Sequence, residues 1–205
     1  MKKFELTNEF ITNMFGTKLF RIRALVEFGD VEAGELGGYV EKESNLGHDD
    51  NAWVYDNAWV YGDAQVSGDA LVYDNARVYG NARVYGDAQV SGDALVYGNA
   101  WVYGDAQVSG DALVCGDARV CGNGDYAYAH GFGSVNRTTT FFRLKDGGVG
   151  VRCGCFYGTL AQFRDKIRET HGETKKAQEY LMLADLMELR FEEDENEVGN
   201  RKYVE

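Results

Sequence analysis

The chain has 205 residues with a formal net charge of −12, and it contains 26 glycines, 13 tyrosines and no proline. That length accommodates one or two domains with a real core, and the composition reads as a regular repeat with glycine at its turns, not as a disordered tail. The acidic balance argues against direct nucleic-acid binding, which needs a basic surface.

The opening stretch, MKKFELTNEF, carries no apolar run of roughly 7–15 residues, and no segment approaches about 18 apolar residues. The expectation is a chain with no signal peptide and no membrane span, at work in the cytoplasm. Residues 1–16, with apolar Phe4, Leu6, Phe10, Ile11, Met14 and Phe15, suggest a short helix. Residues 17–50 read as a strand pair, because LFRIRALVEF has β-propensity and GGYV already places a valine as a repeat would. A stacked β-structure leaves open edges at its ends, so residues 1–50 are read as an N-terminal cap.

From Asn51 to Gly122 the sequence runs through twelve unbroken hexads of the form [DN]-A-x-V-[YSC]-[GD]. Alanine holds position two and valine position four in all twelve. That alternation puts Ala and Val on one side of a short strand and x on the other. The Gly/Asp–Asp/Asn pair turns each corner, since these residues accept left-handed backbone angles. Three strands and three corners close a coil of eighteen residues, so twelve hexads predict a parallel β-helix of four coils. Stacked at about 4.8 Å, it would be roughly 19 Å long.

Residues eighteen apart then stack. The first face carries Trp53, Leu71, Gln89 and Gln107 beside Tyr55, Tyr73, Ser91 and Ser109. The second carries Trp59, Arg77, Leu95 and Leu113 beside Tyr61, Tyr79, Tyr97 and Cys115. The third carries Gln65, Arg83, Trp101 and Arg119 beside Ser67, Tyr85, Tyr103 and Cys121. Such ladders stabilise a β-helix whatever its role, and Arg83–Trp101–Arg119 makes a cation–π column. The second face also reads as an apolar contact strip (Trp59, Tyr61, Arg77, Tyr79, Leu95, Tyr97, Leu113), with a second copy of the chain as its first candidate partner in a dimer or trimer.

Beyond Gly122 a small α+β module, residues 123–192, is expected. TTTFFRLKDGGVGVRCGCF predicts a hairpin of Thr138–Leu144 and Val149–Phe156. Thr159 and Gln162 form a capping-box start for a helix that runs to about His171 and closes at Gly172. A second helix spans about Thr174 to Phe191, with Tyr180, Leu183, Ala184, Met187 and Phe191 along one stripe. Residues 193–205 form an acidic tail. Along an extended CGC, Cys153 and Cys155 share one side about 6.6 Å apart, which discourages a mutual disulfide. The four cysteines read as reduced thiols without metal-site spacing.

The hexads resemble the hexapeptide left-handed β-helix, in which a small residue stands two before an aliphatic one; tyrosine after the valine departs from that pattern. The resemblance implies a left-handed coil, and proteins of this type often trimerise. LGGYVEKESNL followed by NAWVYDNA, and GSVNRTTTFF…CGCFYGTLAQF…EYL later, resemble hexapeptide-repeat proteins widespread in bacteriophages and prophages. That likeness implies a phage-type origin and, by analogy, a counter-defence role against host machinery.

Acyltransferases built on such coils use a histidine base beside bound acyl-coenzyme A, as that resemblance implies. Here the coil holds no histidine; the three in the chain are His48, His130 and His171, and His130 lies nearest the last hexad. The remaining polar set is Ser134, Asn136, Arg137, Thr138, Thr139, Thr140, Arg143 and Arg152. Its hydroxyl, amide and guanidinium groups suit a phosphate or carboxylate. The candidate ligand residues are therefore His130, Asn136, Arg137, Thr138, Thr140, Arg143 and Arg152, with a Thr-rich edge strand as the plain alternative. The function read from the sequence is a non-catalytic binding protein that sequesters or blocks a host protein or a small anionic, nucleotide-like ligand, without cofactor or metal. A coenzyme A-dependent acyltransferase and a purely structural assembly module stand as alternatives.

Overall fold

The structure is a computed structural model that describes residues 2–133 and 135–192; Ser134 and the acidic tail lie outside the described residues. Strands β1 (Phe4–Thr12), β2 (Lys18–Ala24) and β3 (Leu36–Val40) precede the repeat. Each hexad then contributes one two-residue strand, from β4 (Trp53–Val54) to β15 (Arg119–Val120). Strands eighteen residues apart pair in parallel, as in Trp59↔Arg77↔Leu95↔Leu113 and Gln65↔Arg83↔Trp101↔Arg119. The result is a mainly β solenoid of about five turns with a small C-terminal module of two helices and a sheet.

Every hexad alanine and valine is buried, filling one continuous core. Alanine is the only side chain present at position two, and the eighteen-residue register that stacks valine on valine stacks alanine on alanine in the adjoining column. The corners are close to their steric limit. At Gly98 the backbone is left-handed (φ +73°) and an added Cβ would sit 2.9 Å from the nitrogen of Gly116. Asp56 and Asp74 hold the same left-handed geometry, and the Asp74 carboxylate accepts the N–H of Gly92 on the next turn.

Each turn donates its N–H groups to the carbonyls of the turn after it, as in Trp59 to Ala76 and Tyr61 to Val78. The two ends therefore have opposite needs: the first turn shows bare carbonyls and the last shows bare N–H groups. At the N-terminal end the donors are Tyr39 N–H to Ala58, Gly47 N–H to Val66, and the Asn45 amide to Ala64 and Gly62. Lys3 completes the set with its ammonium 2.9 Å from the Ala52 carbonyl. At the other end acceptors take over. Asn123 Oδ1 serves Gln107, the Tyr126 hydroxyl serves Ser109, Thr140 Oγ1 serves Leu113, and the Asp125 carboxylate serves Cys121.

The cap follows that logic. Val40 pairs beneath Val60 and Leu46 beneath Val66, so GGYV is indeed a first, imperfect repeat. β1 and β2 then add antiparallel strands to the outer edge of β3. The helix expected over residues 1–16 is thus replaced by a strand. The reason is the open edge of β3, which a strand satisfies and a helix does not. Trp53, expected on an outer column, is fully buried: Phe4 and Phe28 meet its ring edge-on, and the bare Gly37 leaves it room.

After the last hexad, β16 (Tyr126–Phe132), β17 (Arg137–Arg143), β18 (Val149–Cys153) and β19 (Phe156–Thr159) form one antiparallel sheet. Helices α1 (Leu160–His171) and α2 (Lys175–Phe191) follow. The β17–β18 hairpin and the Thr159/Gln162 capping box are where the sequence places them, and Gly172 ends α1. CGC is not extended. It is the turn between β18 and β19, with Gly154 left-handed at φ +58° and Cys153 paired to Phe156. The expected strand Val149–Phe156 therefore divides there, and the spacing inferred for Cys153 and Cys155 along one strand does not apply. Phe142 joins the solenoid core from one side of β17, while Phe141 packs with α1 and α2 from the other.

Candidate functional site

The module sits on the solenoid so that a cleft of about 390 Å³ opens between them. Its floor is two stacked corner residues, Asp93 and Asp111, with Leu113 beside them. Its wall is the end of the β16–β17 hairpin: His130, Val135, Asn136, Arg137 and Thr138, with Gly154 behind. Asn136 is left-handed (φ 51°), which turns the chain back into β17. His130 Nδ1 lies 2.9 Å from Thr138 Oγ1 and 3.5 Å from the Asp111 carboxylate. Four of the seven candidate ligand residues therefore converge.

The other three do not join them. Thr140 is fully buried, its hydroxyl accepting the Leu113 N–H. Arg143 is buried over the Phe191 ring, with Nη1 3.4 Å from the Gly147 carbonyl. Arg152 donates to the Cys155 carbonyl and lies near Tyr79 and Tyr97. The cause is strand alternation: Thr138 and Thr140 face the solenoid, whereas Thr139 faces the helices and bonds Cys153. A purely cationic and hydroxyl site is thus replaced by one whose lining mixes Arg137 and His130 with Asp93 and Asp111, His130 lying against Asp111. Sequence reasoning missed both aspartates, because corner residues look alike in every hexad.

The ladders are formed. Tyr61, Tyr79 and Tyr97 stack at 5.0 Å with rings within 6° of parallel, and Arg77 lies 4.3 Å over Trp59. On the third face Arg83 and Arg119 flank Trp101 at 5.3 and 4.2 Å. Burial pushes the Tyr97 phenol well above its usual range, helped by its hydrogen bond to the Cys115 thiol. Burial likewise raises the Cys115 thiol. Trp59, Tyr61, Arg77, Tyr79, Leu95, Tyr97 and Leu113 are all half-buried, since each ring covers its neighbours. The large exposed apolar side chains lie elsewhere, among them Met182, Leu186 and Leu189 on α2 and Phe10, Met14 and Phe15 near the β1–β2 tip. Their i, i+4, i+7 spacing on α2 was readable but was overshadowed by the opposite, buried stripe.

Among the described residues no group of three or more His, Cys, Asp or Glu is arranged to hold a metal ion. No helix of theirs is long and apolar enough to cross a membrane. The YdcK beta-solenoid repeat family matches residues 64–78, 76–90, 88–104 and 106–122. The similarity is confined to the hexads and stops before the module that forms one wall of the cleft. No curated protein matches the chain.

Proposed function

We propose that the chain is a non-catalytic, phage-type binding protein that holds a host-derived ligand in the cleft between solenoid and module. The observation that carries this reading is the convergence of His130, Asn136, Arg137 and Thr138 on Asp93 and Asp111. Arg137 suits a phosphate, while paired carboxylates accept hydroxyl or amino donors; together they suit a nucleotide-like molecule better than a bare anion. In this reading the solenoid is a left-handed stem of four hexad coils, consistent with its Ala-x-Val hexads. It works in the cytoplasm of a bacterial host as a counter-defence protein and self-associates through its second face. Residues 1–50, 51–122 and 123–192 then serve as cap, stem and ligand-holding module, with 193–205 as a tail.

Calorimetry with a panel of nucleoside phosphates tests this. The expected result is micromolar binding that Arg137→Ala and Asp111→Asn each weaken, with the ligand recovered unchanged. No binding across the panel would remove the nucleotide reading and leave the structural alternative.

One observation favours a second reading, a coenzyme A-dependent acyltransferase. Thr138 and Asp111 hold Nδ1 of His130, which leaves Nε2 available as a base. Turnover of acetyl-coenzyme A that disappears in His130→Ala would establish it over the first.

A further inference from the structure

A second cavity, of about 240 Å³, lies inside the C-terminal module, between the β18–β19 turn and the two helices. It shares only Arg137 with the cleft described above. Phe156, Phe163 and Ile167 give it an apolar wall, Phe163 and Ile167 being nearly inaccessible. Arg137, Lys166 and His171 supply its basic groups, and no carboxylate lines it. In a chain of net charge −12, whose other cleft is floored by Asp93 and Asp111, a cavity lined by two permanent cations and no carboxylate is selective in charge.

The cations are available. Among the described residues no carboxylate lies within ion-pair distance of Arg137. Its guanidinium rests over Gly154, where a Cβ would come within 2.0 Å of Nη1, so the bare turn is what admits it. Lys166 pairs with Glu169 at 2.7 Å, but both are exposed, and such pairs exchange readily for a better anion. The thiol of Cys153 is already engaged by the Thr139 hydroxyl at 3.2 Å, whereas Cys155 is exposed at the turn.

We infer that this cavity is a binding site for a small amphipathic anion, an aromatic or short-chain phosphate ester or carboxylate. The apolar body packs on Phe156, with Phe163 and Ile167 behind it, and the charged group meets Arg137 and Lys166. This pairing of an apolar pocket with a few convergent polar groups is the general form of small-ligand sites. It shares Arg137 with the nucleotide reading of the other cleft, and Lys166, which lines this cavity and not that cleft, is the residue that separates the two.

Phenyl phosphate is the probe, with phenol and benzylamine as uncharged and cationic controls, titrated into the full chain by calorimetry. Phenyl phosphate alone should bind, and Lys166→Glu should weaken it by roughly tenfold or more, the usual effect of losing a charge-assisted contact. Bound probe should also slow alkylation of Cys155 by iodoacetamide while leaving Cys121 unchanged. Thermal unfolding of Lys166→Glu checks that the fold survives; if it does not, Lys166→Gln carries the same test. Absence of binding at millimolar probe, equal binding of phenol, or protection spread evenly over Cys121 and Cys155 would each overturn the site.

Discussion

The ammonium of Lys3 donates to the main-chain carbonyl of Ala52 at 2.9 Å, in a spot where Lys3 is only 3% exposed. A buried lysine is costly, and burial holds its pKa down at about 8. Its position explains the tolerance: the first solenoid turn presents carbonyls alone, and Lys3 brings donors to those of Ala52 and Asp50. Phe28 adds a ring face 4.6 Å away.

Lys3→Ala leaves those carbonyls without a donor, and the expected loss is about 1–3 kcal/mol in urea unfolding at neutral pH. The pH dependence is a second signature. The unfolded chain keeps this proton up to about 10.5, whereas the folded chain releases it near 8. Between those values the unfolded state binds more protons, so this group makes stability rise with pH across the window. Wild type should show that rise from about pH 8 and Lys3→Ala should lack it; parallel curves for the two would show that Lys3 is not buried as a cation.

The tyrosine ladders act in the opposite direction at higher pH. Burial raises Tyr103 to about 12, with the neighbouring Cys121 and Tyr85 adding to the effect. Above pH 10 the folded state then holds protons the unfolded state has lost. The stability this group gives is complete below pH 10 and disappears as pH climbs toward 12. Ultraviolet titration should show ladder phenols ionising late, together with unfolding. Tyr103→Phe should soften the alkaline loss; an unchanged alkaline midpoint would place that loss elsewhere.

Val84→Asp tests the core. Val84 is fully buried between Val66 and Val102 in parallel register, and neither neighbouring turn offers a partner for a carboxylate there. An unpaired buried charge costs several kcal/mol, enough to abolish cooperative unfolding in circular dichroism. A wild-type melting temperature would mean that valine does not point inward.

The solenoid was legible because its alternation is unbroken, so a single shift in register would have turned every valine outward. The module was legible where local chemistry dominates, as at the Thr159–Gln162 box. What escaped were features that depend on distant surfaces. β1 forms because β3 offers an edge, a fact absent from residues 1–16 themselves. Thr138, Thr139 and Thr140 looked like one polar cluster, yet alternation sends them to the cleft, to Cys153 and to the Leu113 N–H respectively. Asp111 became a site residue only when β16 carried His130 back over it.

Self-association is the last expectation to test, and the half-burial of the second face sharpens the experiment. Tyr61, Tyr79 and Tyr97 already cover one another, which removes part of the drive to bury them against a second copy. What remains is Leu95 and Leu113, aligned in register beside the tyrosines. If this strip makes the contact, sedimentation equilibrium should show a dimer or trimer for wild type and a monomer for Leu95→Glu/Tyr97→Glu, with circular dichroism unchanged. Leu186→Glu is the control, because Leu186 is 54% exposed on α2 and belongs to none of the ladders. Assembly that survives the double variant but fails in Leu186→Glu would transfer the contact to the Met182–Leu186–Leu189 stripe. A monomeric wild type at high concentration would reject self-association through either surface.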